Sequence, residues 1–294
     1  MNIKPNICFG VIGGDLRQAC LADILSSDGY NVVISGLEQC EEVNTNIKAE
    51  SIEAVMKTAD VIVLPLPASR DNICVNAPFA IDTIYLDKIA SLSKAGQLIT
   101  GGILSENFIS SLKKYGALAS DYYKREELTI LNSIPTAEGA LEIILRESKC
   151  TVYSSAVLIS GYGRIGRVLT KMFIGLGADV YVSMRKQSDK AWVLAEGAKP
   201  IFTDKIKDFA DRFDTVINTV PHVLFDSKLL KLFKPSALFV DLASLPGGID
   251  FDAANKLGIK AISAQSLPGK CAPFTAAKFV KETIFNIMEE QIIL

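Results

Sequence analysis

The chain has 294 residues, 49% of them hydrophobic and 22% charged, enough for two ordinary domains that each bury a core. A formal net charge of −2 with no sustained basic stretch argues against a nucleic-acid partner, and no apolar run reaches the roughly 18 residues that span a membrane. Six scattered cysteines (Cys8, Cys20, Cys40, Cys74, Cys150, Cys271) form no C-x-x-C pair and no metal-ligand spacing, so no metal is expected and the thiols read as reduced ones of a cytosolic protein.

The N-terminal MNIKPNICFGVIGGD goes straight into a strand-turn pattern and does not read as a signal peptide. In the first half, β-branched runs predict strands at Ile7–Ile12, Asn31–Ser35, Asp60–Leu64, Gln97–Thr100 and Ala117–Ser120, with helical patterns between them. Such alternation implies a doubly wound parallel sheet. Its first turn, Gly13-Gly14-Asp15-Leu16-Arg17, lacks the third glycine of a dinucleotide fingerprint, and Asp15 would repel phosphate there. Two readings stay open: Asp15 caps the helix, or the turn is a substrate loop in which Arg17 reaches a carboxylate. Thr136 to Leu145, after Pro135, reads as a crossover helix between the halves.

Residues 156–186 carry the clearest signal. A strand at Val157–Ser160 runs into Gly161-Tyr162-Gly163-Arg164-Ile165-Gly166, a helical pattern follows, and a second strand spans Asp179–Ser183. In that context the motif is a dinucleotide fingerprint. Gly161 permits the tight turn, Gly163 lets backbone approach a pyrophosphate, and Gly166 lets helix and strand pack closely. An NAD site places an acid about 20 residues after the first glycine. Here Ser183 is followed by Met184, Arg185 and Lys186, a hydroxyl and two cations suited to a 2′-phosphate, so NADP is favoured over NAD. Thr219 and Pro221 complete the expected cofactor-binding set.

Further strands are expected at Lys199–Phe202, Thr215–Asn218, Leu238–Asp241 and Lys260–Ser263, giving the second half six strands and the first half a smaller sheet. A last helix, Thr275 to Ile293, shows apolar Val280, Ile284, Ile287 and Met288 at helical spacing, with Thr275 as cap. The expected architecture is α/β, two doubly wound parallel-sheet domains joined by crossover helices around a cleft. Residues 1–134 with the helix 275–294 would form a flavodoxin-like substrate domain, and 135–274 a Rossmann NADP-binding domain. Six loops are expected at strand ends, namely 65–70, 101–103, 132–136, 218–221, 241–244 and 267–270.

The acid–base inventory is thin. His222 is the only histidine, and it stands too early in the chain for a hydroxy-acid dehydrogenase base. What remains is Asp241 with Ser, Thr, Asn, Lys and Arg side chains, and the cleft candidates are Asp15, Arg17, Arg70, Ser133, Thr136, Ser244 and Lys270. So sparse a set suits a dehydrogenation that ends in an aromatic ring, where positioning of donor and acceptor dominates. Arg17, Arg70 and Lys270 would hold a small dicarboxylate.

Several stretches together resemble the A subunit of bacterial dipicolinate synthases over nearly the whole chain. They are Val11–Asp15 with Arg17-Gln18, Asn132–Gly139, Gly161–Arg164 with Gly166, Asn218–Pro221, Asp241–Gly248, and Leu267–Lys270 with Ala272-Pro273 and Thr275-Ala276. The resemblance implies oxidation of dihydrodipicolinate to pyridine-2,6-dicarboxylate on a branch of the lysine pathway, with NADP as acceptor. It also implies a flavoprotein-like partner, the B subunit of dipicolinate synthase, and a place in the mother-cell cytoplasm during sporulation. A homo-oligomer is expected. The chain departs from the family pattern at Phe274, where the pattern has lysine, and at Ala277, where it has glycine. Other readings are a dehydrogenase or imine reductase of a different small carboxylate, and a non-catalytic, dinucleotide-binding regulatory protein.

Overall fold

The computed structural model describes residues 7–44 and 46–291, so the expectations for residues 1–6, 45 and 292–294 lie outside the described residues. The chain divides into two compact units. One comprises the residues through Asn132 together with those from Ala272, the other Ser133–Cys271.

The first unit alternates β1 (Cys8–Ile12), α1 (Leu16–Ser27), β2 (Asn31–Ser35), β3 (Lys48–Ala49), α2 (Ile52–Thr58), β4 (Val61–Val63), α3 (Leu86–Leu92), β5 (Leu98–Gly101), α4 (Glu106–Lys114), β6 (Leu118–Asp121) and α5 (Glu126–Leu131). All strand pairs are parallel, in the order β3-β2-β1-β4-β5-β6. The central strands β1, β4 and β5 are buried throughout, as expected of a parallel sheet covered on both faces. The five strands expected from sequence stand in flavodoxin order. The sixth, β3, has two exposed residues and no periodicity to betray it, and it makes this sheet as wide as its counterpart.

The second unit continues with α6 (Ser133–Glu147), β7 (Ala156–Ser160), α7 (Arg164–Gly175), β8 (Asp179–Met184), α8 (Gln187–Ala195), β9 (Lys199–Phe202), β10 (Thr215–Asn218), α9 (Ser227–Leu230), β11 (Leu238–Asp241), α10 (Phe251–Lys256), β12 (Lys260–Ser263) and α11 (Leu267–Cys271). Its six parallel strands run β12-β11-β10-β7-β8-β9, the dinucleotide-binding order with β7 beside the switch point. The final helix, α12 (Pro273–Glu290), returns to the first unit. There Val280, Ile284, Ile287 and Met288 join Leu21 and Leu25 of α1 in one core, and Phe285 meets Phe9 with ring centroids 6.0 Å apart.

Three local expectations need correction. Residues 133–136 are not a loop but the first turn of α6, because proline in a first turn forfeits no intrahelical hydrogen bond. For the same reason α12 starts at Pro273 rather than at a Thr275 cap. Leu267–Cys271 is a short helix, and a Cβ at Gly139 of α6 would come within 2.9 Å of the Cys271 Sγ and 3.1 Å of the Leu267 Cβ, so the two helices meet at that glycine. One stretch does satisfy the length and hydropathy of a membrane span: Glu126–Glu147, covering α5 and α6. Half of it is buried inside the protein, as in a core helix.

Candidate functional site

The turn after β7 is built as a cradle. Gly161 has φ +94°, and a Cβ there would come within 2.6 Å of the Thr219 Oγ1. A Cβ on Gly166 would sit 2.1 Å from the Gly161 carbonyl oxygen, so α7 reaches its packing distance only with glycine at that position. Gly163, the N-cap of α7, is different: a Cβ there would meet nothing within 4 Å. The fold does not demand that glycine. Gly163 has no side chain with which to cap α7, and the first turn holds no acid, so the positive dipole end of the helix suits an anion. A pyrophosphate fits that place, with Tyr162, Arg164 and Ile165 completing the turn. The Tyr162 ring is itself packed away, under the Arg167 guanidinium 5.0 Å from its centroid, and burial pushes its phenol above the ordinary range.

At the end of β8 the expected assignment shifts by one residue. The strand runs on to Met184, and Ser183 is 1% exposed, with its hydroxyl 3.5 Å from the Ser160 Oγ inside the sheet. β8 is buried from Val180 through Met184, so Ser183 presents no exposed hydroxyl at this strand end. The exposed groups beyond the strand are Arg185 and Lys186.

Two neighbouring strand ends are tied together by a buried polar knot. The Asp241 carboxylate, 2% exposed, accepts from the Asn218 Nδ2 at 2.8 Å, the Ala243 amide at 3.1 Å and the Gly248 amide at 2.8 Å. Asn218 also donates to the Val220 carbonyl at 2.9 Å, and the Thr219 hydroxyl donates to the Ser160 carbonyl at 2.7 Å. These bonds let Asp241 and Thr219 anchor loops 219–224 and 242–249. Pro221, His222, Ser244 and Lys270 are exposed, the first three on these loops and Lys270 on α11.

In the first unit the glycine turn serves the fold itself. The Asp15 carboxylate caps α1 through the Arg17 amide at 3.1 Å and receives the Arg17 Nε at 2.9 Å and Nη2 at 2.7 Å. The same Nη2 donates to the Leu66 carbonyl at 2.6 Å. Of the two open readings the capping one holds. Arg17 is buried, and although burial disfavours its charge, the Asp15 carboxylate holds it firmly protonated. Beside it Tyr122, fully buried, donates to the Leu64 carbonyl at 2.9 Å. Arg70 is exposed on the loop after β4, whereas Ser133 is buried and Thr136 half-buried in the first turn of α6, in the other unit. Of the cleft candidates, Asp15, Arg17 and Arg70 belong to the first unit, where Asp15 and Arg17 pair with each other, and Ser133, Thr136, Ser244 and Lys270 belong to the second.

Sequence reasoning missed the anchoring role of Asn218 and Asp241, for which the only signal was polar residues ending two apolar strands. It also missed the left-handed backbone of Ile103, with φ +60°, after β5.

Comparison with known proteins follows the same division. Residues 8–123 match the family model for the N-terminal domain of the dipicolinate synthase A subunit, and residues 144–244 the NAD-binding domain of D-isomer-specific 2-hydroxyacid dehydrogenases. The chain is 31% identical over 287 residues to the dipicolinate synthase A subunit of Bacillus subtilis (strain 168), covering 96% of each. Among solved structures it is similar to the dipicolinate synthase A subunit from Bacillus halodurans, with TM-score 0.86 and 28% identity over 96% of this chain and 97% of that one. The dipicolinate synthase A chain from Bacillus subtilis gives TM-score 0.85 at 30% identity, over 97% of this chain and 96% of that one. The dehydrogenase-type domain and these relatives support an oxidoreductase that uses a nicotinamide dinucleotide.

Proposed function

The chain belongs to the family of dipicolinate synthase A subunits, and from that premise we propose that it oxidises dihydrodipicolinate to dipicolinate with NADP. The reaction removes a hydride and a proton from the dihydropyridine ring, and the gain of aromaticity drives it. Bound nicotinamide supplies the hydride acceptor. The chain's own work is positional: α7 and its glycines receive the pyrophosphate, and the knot around Asp241 holds loops 219–224 and 242–249 at the strand ends where a Rossmann unit presents its nicotinamide. The observation that carries the reading is the open space at Gly163, the glycine N-cap of α7 in the turn after β7, in a chain of this family.

Preference for NADP rests on Arg185 and Lys186, with no acid between Ser183 and Lys186 to repel a 2′-phosphate. We further propose a cytoplasmic enzyme that acts in sporulation together with the B subunit, and a two-domain organisation in which the first unit takes the dicarboxylate. Absorbance at the reduced-nicotinamide band, with NADP, freshly generated dihydrodipicolinate and the chain with or without its B-type partner, tests this. Rising absorbance with dipicolinate formed in equal amount is the expected result. NADP binding without turnover, even with that partner, refutes the substrate assignment and favours a regulatory dinucleotide-binding role.

A further inference from the structure

Ile103 is held in a conformation its side chain disfavours, and folding gains nothing from its being isoleucine. Its φ of +60° lies in the left-handed region, where a β-branched residue is a genuine outlier. The other non-glycine residues there, among those described, are Asn72, Ser154 and Ser266, none of them β-branched. The side chain is also 53% exposed, so burial does not compensate for the backbone strain. Glycine or asparagine would adopt the same backbone more easily.

The surroundings leave the backbone no choice. The Ile103 and Leu104 amides donate to the two oxygens of Asp121, each at 3.0 Å. The Gly102 carbonyl accepts from the Ala68 amide at 2.7 Å, and the Gly102 amide donates to the Pro65 carbonyl at 3.0 Å. A Cβ on Gly102 would lie 2.4 Å from the Leu66 Cδ1 and 2.9 Å from the Tyr122 Cε2, so the turn is also sterically locked. An over-determined, strained residue of this kind marks a place where side-chain presentation matters more than stability. The turn follows β5, at the carboxyl edge of the sheet where doubly wound units take their ligands. Because Asp121 occupies both amides, the turn offers a ligand no anion-binding groups, only a rigid aliphatic surface.

We infer that Ile103 is a specificity-determining residue whose side chain forms the apolar surface against which the flat ring of the dicarboxylate rests. This rests on the substrate reading above, and the test separates the two. Steady-state kinetics with dihydrodipicolinate, NADP and the B-type partner, together with thermal midpoints, are measured for wild type, Ile103→Gly, Ile103→Asn and Ile103→Leu. Glycine and asparagine should raise the midpoint by about 2–4 °C as strain is released. Both should lower kcat/KM by roughly ten- to a hundredfold, chiefly through KM, which is what a lost apolar contact costs in discrimination. The affinity for NADP should not change. Ile103→Leu, which restores aliphatic surface, should recover turnover to within about threefold of wild type, a loss small beside that of a missing apolar contact. The asparagine variant guards against loop flexibility as the cause of the glycine result. Wild-type kcat/KM in the glycine and asparagine variants overturns the inference while leaving the substrate reading intact. An equal loss in the leucine variant overturns it too, because backbone and not surface would then be responsible. A wild-type enzyme with no turnover removes the substrate reading and the inference together.

Discussion

Gly163→Ser separates what the fold needs from what a cofactor needs. Gly163 occupies the N-cap of α7 with φ −86° and ψ −161°, an extended geometry that serine adopts readily. Serine is a better N-cap than glycine by a few tenths of a kcal/mol, since its hydroxyl accepts from a first-turn amide. Asp15 does this for α1 by accepting from the Arg17 amide at 3.1 Å. Nothing lies within 4 Å of the added Cβ, so no steric cost offsets the gain, and the cofactor-free protein should be as stable as wild type or slightly more so. Binding should move the other way, because the new side chain fills the approach to the helix and takes one of its amides. Loss of one hydrogen bond to a charged partner costs about 1.5–3 kcal/mol, or roughly 10- to 150-fold in Kd. Calorimetry of the free protein and titration of reduced-nicotinamide fluorescence measure the two effects. A Kd within about twofold of wild type, well below the loss of one charged hydrogen bond, would refute the placement of a pyrophosphate at α7. Gly166→Ala is the contrasting case: its methyl would sit 2.1 Å from the Gly161 oxygen, and destabilisation of about 1–3 kcal/mol should accompany any loss of binding.

Arg185→Ala with Lys186→Ala should weaken NADP binding by roughly tenfold or more while leaving NAD affinity nearly unchanged, and the NADP loss should shrink at high salt; competition titrations at two ionic strengths show it. Asp241→Asn should turn an amide group toward the Asn218, Ala243 or Gly248 donors, costing about 1–3 kcal/mol and raising KM for the dinucleotide as loops 219–224 and 242–249 loosen; a denaturant series with parallel kinetics reads both. Asp214 resists protonation: burial opposes its charge, but the Lys234 ammonium at 2.7 Å and the Ala156 amide at 2.9 Å hold its carboxyl below the usual range. Its contribution to stability should be complete above its unfolded pKa of about 3.9 and lost as pH falls through the lower folded value. Lys234→Met should shift the acid-unfolding midpoint upward, as followed by circular dichroism.

Strands and helices were legible wherever local periodicity reported them. The fingerprint of the second unit could be read because strand, glycines and helix are contiguous, with Gly161 and Gly166 answering local steric constraints. β3 escaped notice because two exposed residues carry no pattern, and their pairing with β2 is decided by the rest of the sheet. The partners of Arg17 were also hidden: the Leu66 carbonyl that fixes its guanidinium lies 49 residues away. Ser183 was misread for a similar reason. β8 is buried from Val180 to Met184, and that cover comes from elements far away in the sequence, which local periodicity does not report. Neither the bonds of Asp241 nor the backbone of Ile103 has a sequence signature, because both depend on amides brought close by the fold.

The interleaving of the two units has a consequence for synthesis. Residues 133–271 form a contiguous stretch that can complete its fold as soon as it leaves the ribosome. The first unit cannot, because its core includes Ala277, Val280, Ile284 and Met288 from α12, whose side chains cover the same core as Phe9 and Leu21. Although its strands are translated before residues 133–271, one apolar face stays uncovered until α12 emerges. The unit that begins earlier along the chain is therefore the one that completes its core later.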